Sequence, residues 1–296
     1  MVARLLRRVT ASTFYSLIVL VASLVAEVPS ERLGSGLEFS DRIVVHTVDS
    51  PHQRTETEIL VLPPKNQEAR AKWPVVYLLP VEAGVGRRWG DPFRALASVQ
   101  PAILDDLFVI YPTFSDLPWY ADHPSDPGLR QERHLLSVVL PFVEKRYPVN
   151  ASGDGRYLVG FSKSGWGAWS LILRNESLFE FAVAWDAPMM VAKPDRYGMG
   201  PIFGSLDNFA KYRIETLLRR AGAAFIDHSR PRLALLGFGN FRSEHLRVRT
   251  LLEDLGIEHV YRDGPERKHH WESGWLIEAF EQINERINAT LKSEED

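Results

Sequence analysis

The stretch Tyr157–Arg174, YLVGFSKSGWGAWSLILR, decides the fold. Tyr157 to Val159 reads as a buried strand, Gly160 to Gly165 as a tight turn, and the rest as a helix whose apolar residues recur at helical spacing. A serine at the tip of such a strand-turn-helix, with small residues two before and two or three after, has the pattern of a nucleophile elbow. The small residues are needed because the serine is held in a strained conformation while strand and helix nearly touch. Gly160 fills the first small position, Ser164 stands where a second glycine is usual, and Gly165 follows. Ser162 is therefore the candidate nucleophile. The competing reading is the same turn without chemistry.

Around the elbow, strand and helix patterns alternate. Upstream, Arg42–Val48 and Thr55–Leu62 are β-rich and flank turn chemistry at Asp49-Ser50-Pro51-His52, which predicts an opening hairpin with one wet face. Trp73–Leu79 and Asp106–Tyr111 are short apolar runs suited to strands buried on both faces, with helix between them around Phe93 to Leu104, interrupted by Pro101. Leu129–Tyr147 is amphipathic and carries Pro141, so a kink or restart is expected there. Downstream, Phe179–Trp185, Arg232–Gly237 and a short Glu258–Tyr261 read as strands. Helices are expected at Leu206–Ala221, Glu244–Leu255 and Glu272–Leu291, and the excursion 187–230 is placed to shape a pocket. The pattern predicts one α/β domain over residues 34–291, with a mainly parallel sheet and helices on both faces. In such a sheet the working residues lie just beyond the strands' C-terminal ends. Ser162, Asp186 and His269 all stand there.

A serine hydroxyl needs a base within hydrogen-bond reach and a third group that fixes the base's tautomer. The expected chain order is serine, acid, histidine. His269 and His270, in the loop after the last predicted strand, are the candidate bases, with His269 preferred. Asp186 is the candidate acid and Glu244 its competitor. An oxyanion hole needs two backbone N–H groups; one is expected from Lys163 and the other from the loop after Leu79, at Val81 or Glu82. Trp119, Tyr120, Trp166 and Trp271 are expected to line or floor the cleft, a setting that suits a sugar, aryl or acyl group.

Composition bounds the alternatives. The 296 residues carry 35 Lys and Arg against 38 Asp and Glu, a formal net charge of -3, with the arginines scattered, so no nucleic-acid footprint is present. With no cysteine, disulfides and thiolate chemistry are excluded. No histidine pair has a zinc spacing, and neither metal nor cofactor is called for. Met1–Ala26 has a basic start (Arg4, Arg7, Arg8) and an apolar run from Thr10, the layout of a secretory signal, or of a short anchor if uncleaved. Export to the periplasm or medium is expected.

With these residues in place, the chain resembles the Putative esterase family of α/β-hydrolases, which includes esterase D, feruloyl esterases and the mycolyltransferases. The carriers are Val75–Pro80, Pro118-Trp119-Tyr120-Ala121-Asp122, Gln131-Glu132, the elbow Arg156–Ala168, and His269-His270-Trp271. The resemblance implies ester hydrolysis through an acyl-enzyme, with Ser162 on the family nucleophile and no cofactor. Where the family has its acid, this chain has Asn240, which implies that Asp186 or Glu244 serves instead or that the triad is weakened. A divergent branch follows, with two alternatives to hydrolysis: an inactive protein of this fold that binds a carbohydrate or cell-envelope ligand, or an acyltransferase.

Overall fold

The computed structural model describes residues 39–221, 223–226 and 230–295; the expected leader Met1–Ala26 lies outside them. Eight strands form one sheet: β1 (Val44–Val48), β2 (Thr57–Leu62), β3 (Val75–Leu79), β4 (Phe108–Pro112), β5 (Arg156–Phe161), β6 (Phe181–Trp185), β7 (Leu233–Phe238) and β8 (His259–Glu266). Their order is β1-β2-β4-β3-β5-β6-β7-β8. The β1–β2 and β2–β4 pairings are antiparallel and all others parallel. The expected hairpin forms, but of its two strands β1 alone is at an edge of the sheet; β2 is paired on both sides, with β1 and β4, and all but one of its residues are buried.

Strand composition explains where the cores lie. The residues of β3, β4, β5 and β6 are all buried, and alternate side chains enter opposite faces. One face packs Tyr77, Leu79 and Leu158 against the helix Lys163–Arg174; the other packs Val76, Leu78 and Val159 against the C-terminal helix Trp275–Glu295. The sheet is thus sandwiched between helical layers, the mainly parallel α/β arrangement that the alternation predicted.

Proline sets several helix boundaries. Pro92 and Pro101 each open a short helix, Pro92–Leu96 and Pro101–Leu104, where a missing N–H costs nothing. Pro141 stands in the first turn of Leu140–Arg146. It cannot donate to the carbonyl four residues back, and the preceding turns, His134–Val139, are wound as a π-helix. The restart expected at Pro141 is therefore present. The helix expected over Leu206–Ala221 is instead two short ones, Leu206–Ala210 and Ile214–Leu218, and the last strand runs five residues further than predicted. Among the described residues, no helix is long and apolar enough to cross a membrane.

Candidate active site

Parallel register brings the site together at the C-terminal edge of the sheet. Ser162 follows β5, Asp186 follows β6, and His269 lies in the loop after β8. Ser162 has φ 53 and ψ -123, a backbone conformation that costs about 1–3 kcal/mol and persists only where the surroundings enforce it. The enforcement is visible. The Ser162 N–H donates to Trp185 O at 3.1 Å, and the Trp166 N–H returns to Ser162 O at 3.1 Å. Ser164 uses its hydroxyl to clamp the strand end, accepting from Phe161 N and donating to Phe161 O, both at 2.9 Å. Gly160 must be glycine, because a Cβ there would lie 2.1 Å from Ser164 O.

His269 Nδ1 meets Asp186 Oδ2 at 2.5 Å. Asp186 is buried, and its other oxygen accepts from Asn240 N at 2.8 Å and Phe241 N at 2.9 Å. Burial alone would raise this carboxyl's pKa; the bonds from His269 and from the backbone after β7 outweigh it and hold the pKa below its ordinary value. The imidazole is wedged among Phe161, Trp89 and Phe241, with centroid distances of 4.6, 4.9 and 5.6 Å. Ser162 and His269 line the same cleft, and among the described residues no hydrogen bond engages Ser162 Oγ.

The competitors fall elsewhere. His270 caps the turn Trp271–Ser273 by accepting from Glu272 N, and its ring packs on Gly90. Glu244 accepts from Met190 N at 2.8 Å and has no contact with His269. Asn240 contributes its backbone N–H to Asp186 and stands exposed on the cleft wall. The carboxylate that meets His269 thus follows β6 rather than β7, and the backbone of Asn240 helps to hold it.

Sequence reasoning missed one support and misplaced the lining. Buried His245 accepts from Ala187 N at 3.0 Å and anchors the chain just after Asp186; burial lowers its pKa to about 4, so it is a neutral acceptor. Trp119, Tyr120, Trp166 and Trp271, expected to line or floor the cleft, are fully buried and none lines it. The rings that do are Trp89, Tyr197 and Phe241, in a cleft of about 490 Å³. Two of the buried tryptophans brace them from behind: Trp119 Nε1 donates to Tyr197 O at 3.2 Å, and Trp271 N to Trp89 O at 2.8 Å. The lining rings sit on loops without periodic pattern, where only the richness in aromatic residues could have signalled them.

Lys163 begins the elbow helix, so its N–H has no acceptor within the helix. Its side chain lies in the cleft, where Nζ approaches Glu82 Oε1 at 3.3 Å; burial lowers the ammonium's pKa, and Glu82 opposes the shift. Extending the β3–β5 register by two residues beyond Leu79 and Gly160 sets Val81 level with Ser162. The Val81 side chain is buried, and its N–H has no acceptor among the described residues.

No curated protein matches the sequence. A solved ferulic acid esterase is 19% identical, with a TM-score of 0.65 over 82% of this chain and 98% of that one. The S-formylglutathione hydrolase FrmB of Staphylococcus aureus is 18% identical, with a TM-score of 0.63 over 83% and 98% of the two chains. MPT51 (FbpC1) of Mycobacterium tuberculosis is 14% identical, with a TM-score of 0.60 over 81% and 97%. At such identities the likeness is one of fold. The family model described as "Putative esterase" matches residues 50–194, the segment that runs from the hairpin turn through the elbow to the loop beyond Asp186. By that match the chain is similar to the Putative esterase family over this segment, and by its sheet it has the α/β-hydrolase fold.

Proposed function

We propose that this chain is an exported serine esterase. The observation that carries the reading is the short Asp186–His269 contact in the cleft that also holds the strained Ser162. Asp186 fixes the tautomer in which His269 Nδ1 carries the proton and Nε2 is free to act as base. As an ester enters, His269 Nε2 takes the proton of Ser162 Oγ, and Oγ attacks the carbonyl carbon. The N–H groups of Lys163 and Val81 receive the developing oxyanion. His269 returns the proton to the departing alcohol, and water, deprotonated by the same imidazole, releases the acid from Ser162. Trp89, Phe241 and Tyr197 offer an apolar wall for a ring or short chain on the substrate. The basic and apolar leader within Met1–Ala26 directs export.

Asn240 suggests the alternative of a protein that only binds its ligand; the carboxylate of Asp186, engaged with His269, favours hydrolysis over it. The test is hydrolysis of short p-nitrophenyl esters by the wild type and by Ser162→Ala. The variant is expected to lose at least about 10³-fold in kcat. Retention of full activity would exclude Ser162. Addition of an alcohol distinguishes acyl transfer, which yields a new ester, from hydrolysis.

A further inference from the structure

Tyr120 does not line the cleft, yet it is unusually constrained. Its backbone is in the left-handed region at φ 56, its ring is fully buried against Gly167 of the elbow helix, and its hydroxyl donates to Pro80 O at 2.6 Å. A left-handed conformation is unfavourable for a bulky residue and needs support. Gln131 supplies it: the buried amide oxygen accepts from both Trp119 N (2.8 Å) and Tyr120 N (2.9 Å), and Nε2 donates to Leu117 O at 3.0 Å. Three bonds from one buried side chain thus fix the loop that carries the tyrosine.

The target of the hydroxyl is informative. Pro80 C=O and Val81 N–H belong to one peptide unit, and in a trans peptide they point in opposite directions. The only cis peptide bond among the described residues is Gly264–Pro265, so this unit is trans. With Pro80 O drawn to the hydroxyl in the buried layer, the Val81 N–H is turned away from that layer, at the level of Ser162. Burial keeps the phenol protonated far above its ordinary range, so it remains a donor throughout the working pH range. The loop is fixed on its far side as well, where Gly84 N donates to Phe114 O at 2.9 Å.

We infer that Tyr120 is a positioning residue for the oxyanion hole, its hydroxyl holding the Pro80–Val81 peptide so that the Val81 N–H faces the carbonyl oxygen attacked by Ser162. The inference rests on the esterase reading above. It assigns Gln131 a supporting part, as the group that holds Tyr120 in its left-handed conformation.

Tyr120→Phe removes the hydroxyl and leaves the ring packing. Loss of a whole oxyanion donor costs about 10²–10³ in kcat, and a misdirected one less, so a fall of about 10–100-fold is expected. Because the defect lies in the transition state, KM should stay within about threefold, and a trifluoromethyl ketone, whose adduct carries the oxyanion, should bind more weakly by the factor lost in kcat/KM. A kcat within about twofold of wild type, or a loss confined to KM, overturns the inference. If Tyr120→Phe does not fold, replacing the Val81 residue by its α-hydroxy acid removes the N–H and keeps the side chain. A loss of about 10²–10³ is then expected, and unchanged kcat overturns the inference. Wild type and Ser162→Ala are assayed in parallel. An inactive wild type defeats the esterase reading, whereas an active wild type with an unaffected Tyr120→Phe defeats only the role of Tyr120.

Discussion

Asp186→Asn isolates the charge and proton chemistry of the acid from its structural role. In the wild type, Oδ1 accepts from Asn240 N and Phe241 N, while Oδ2 faces His269 Nδ1 at 2.5 Å. An asparagine keeps both backbone bonds by placing its carbonyl oxygen where Oδ1 was, which leaves its NH₂ opposite His269 Nδ1. Two donors cannot share that contact, so the imidazole moves its proton to Nε2. A protonated Nε2 cannot accept from Ser162. The expected loss is about 10³–10⁴ in kcat, or about 4–5 kcal/mol of transition-state stabilisation. Steady-state hydrolysis of p-nitrophenyl acetate at neutral pH reads the loss, and thermal unfolding checks that the variant stays folded. Glu244→Gln is the control: Glu244 holds only Met190 N, so kcat should remain within about threefold. The reasoning is refuted if Asp186→Asn stays within about tenfold of wild type while folded, or if Glu244→Gln collapses activity instead.

Three further outcomes follow from the geometry. His270→Ala should keep kcat within about threefold and cost about 1 kcal/mol through the lost cap, whereas His269→Ala should lose at least about 10³-fold in kcat; equal losses would mean that the two histidines are not divided between base and cap. Lys163→Met should destabilise the fold by about 1 kcal/mol by leaving Glu82 unpaired, and Glu82→Gln in that background should cost less than it does alone; strictly additive losses in urea unfolding would contradict the pairing. Burial holds His134 and His245 at about 4, below the ordinary 6.5, so between those values the unfolded chain binds more protons and stability falls as pH drops. Each histidine contributes about 3 kcal/mol that is present above pH 6.5 and lost toward pH 4, and urea midpoints that stay flat over that range would contradict it.

The legible parts of this molecule were those in which local chemistry and chain order carry the information. Gly160, Ser162 and Gly165 mark the elbow because a tight strand-to-helix turn tolerates few residues, and continuous apolar runs mark the central strands. His269 followed from its place after the last strand. The choice among Asp186, Glu244 and Asn240 was not legible, since it depends on how the turn after β7 folds back to present two N–H groups to Asp186. The cleft wall was misread for a related reason. Trp119 and Trp166 pack against each other at 5.5 Å on the elbow-helix side of the sheet, while the rings that meet solvent come from loops placed by long-range contacts such as Trp119 Nε1 to Tyr197 O. Tyr120 likewise carries the right residue type for a site, but its hydroxyl points to a backbone carbonyl rather than to the cleft.

The central claim is that Ser162 is an activated nucleophile, and covalent labelling addresses it most directly. A fluorophosphonate probe incubated with the folded protein, followed by peptide mass spectrometry, should place one adduct on Ser162 and none on Ser164, whose hydroxyl is buried and engaged with Phe161. Absence of any adduct on folded wild-type protein, or an adduct on another serine, would contradict the account.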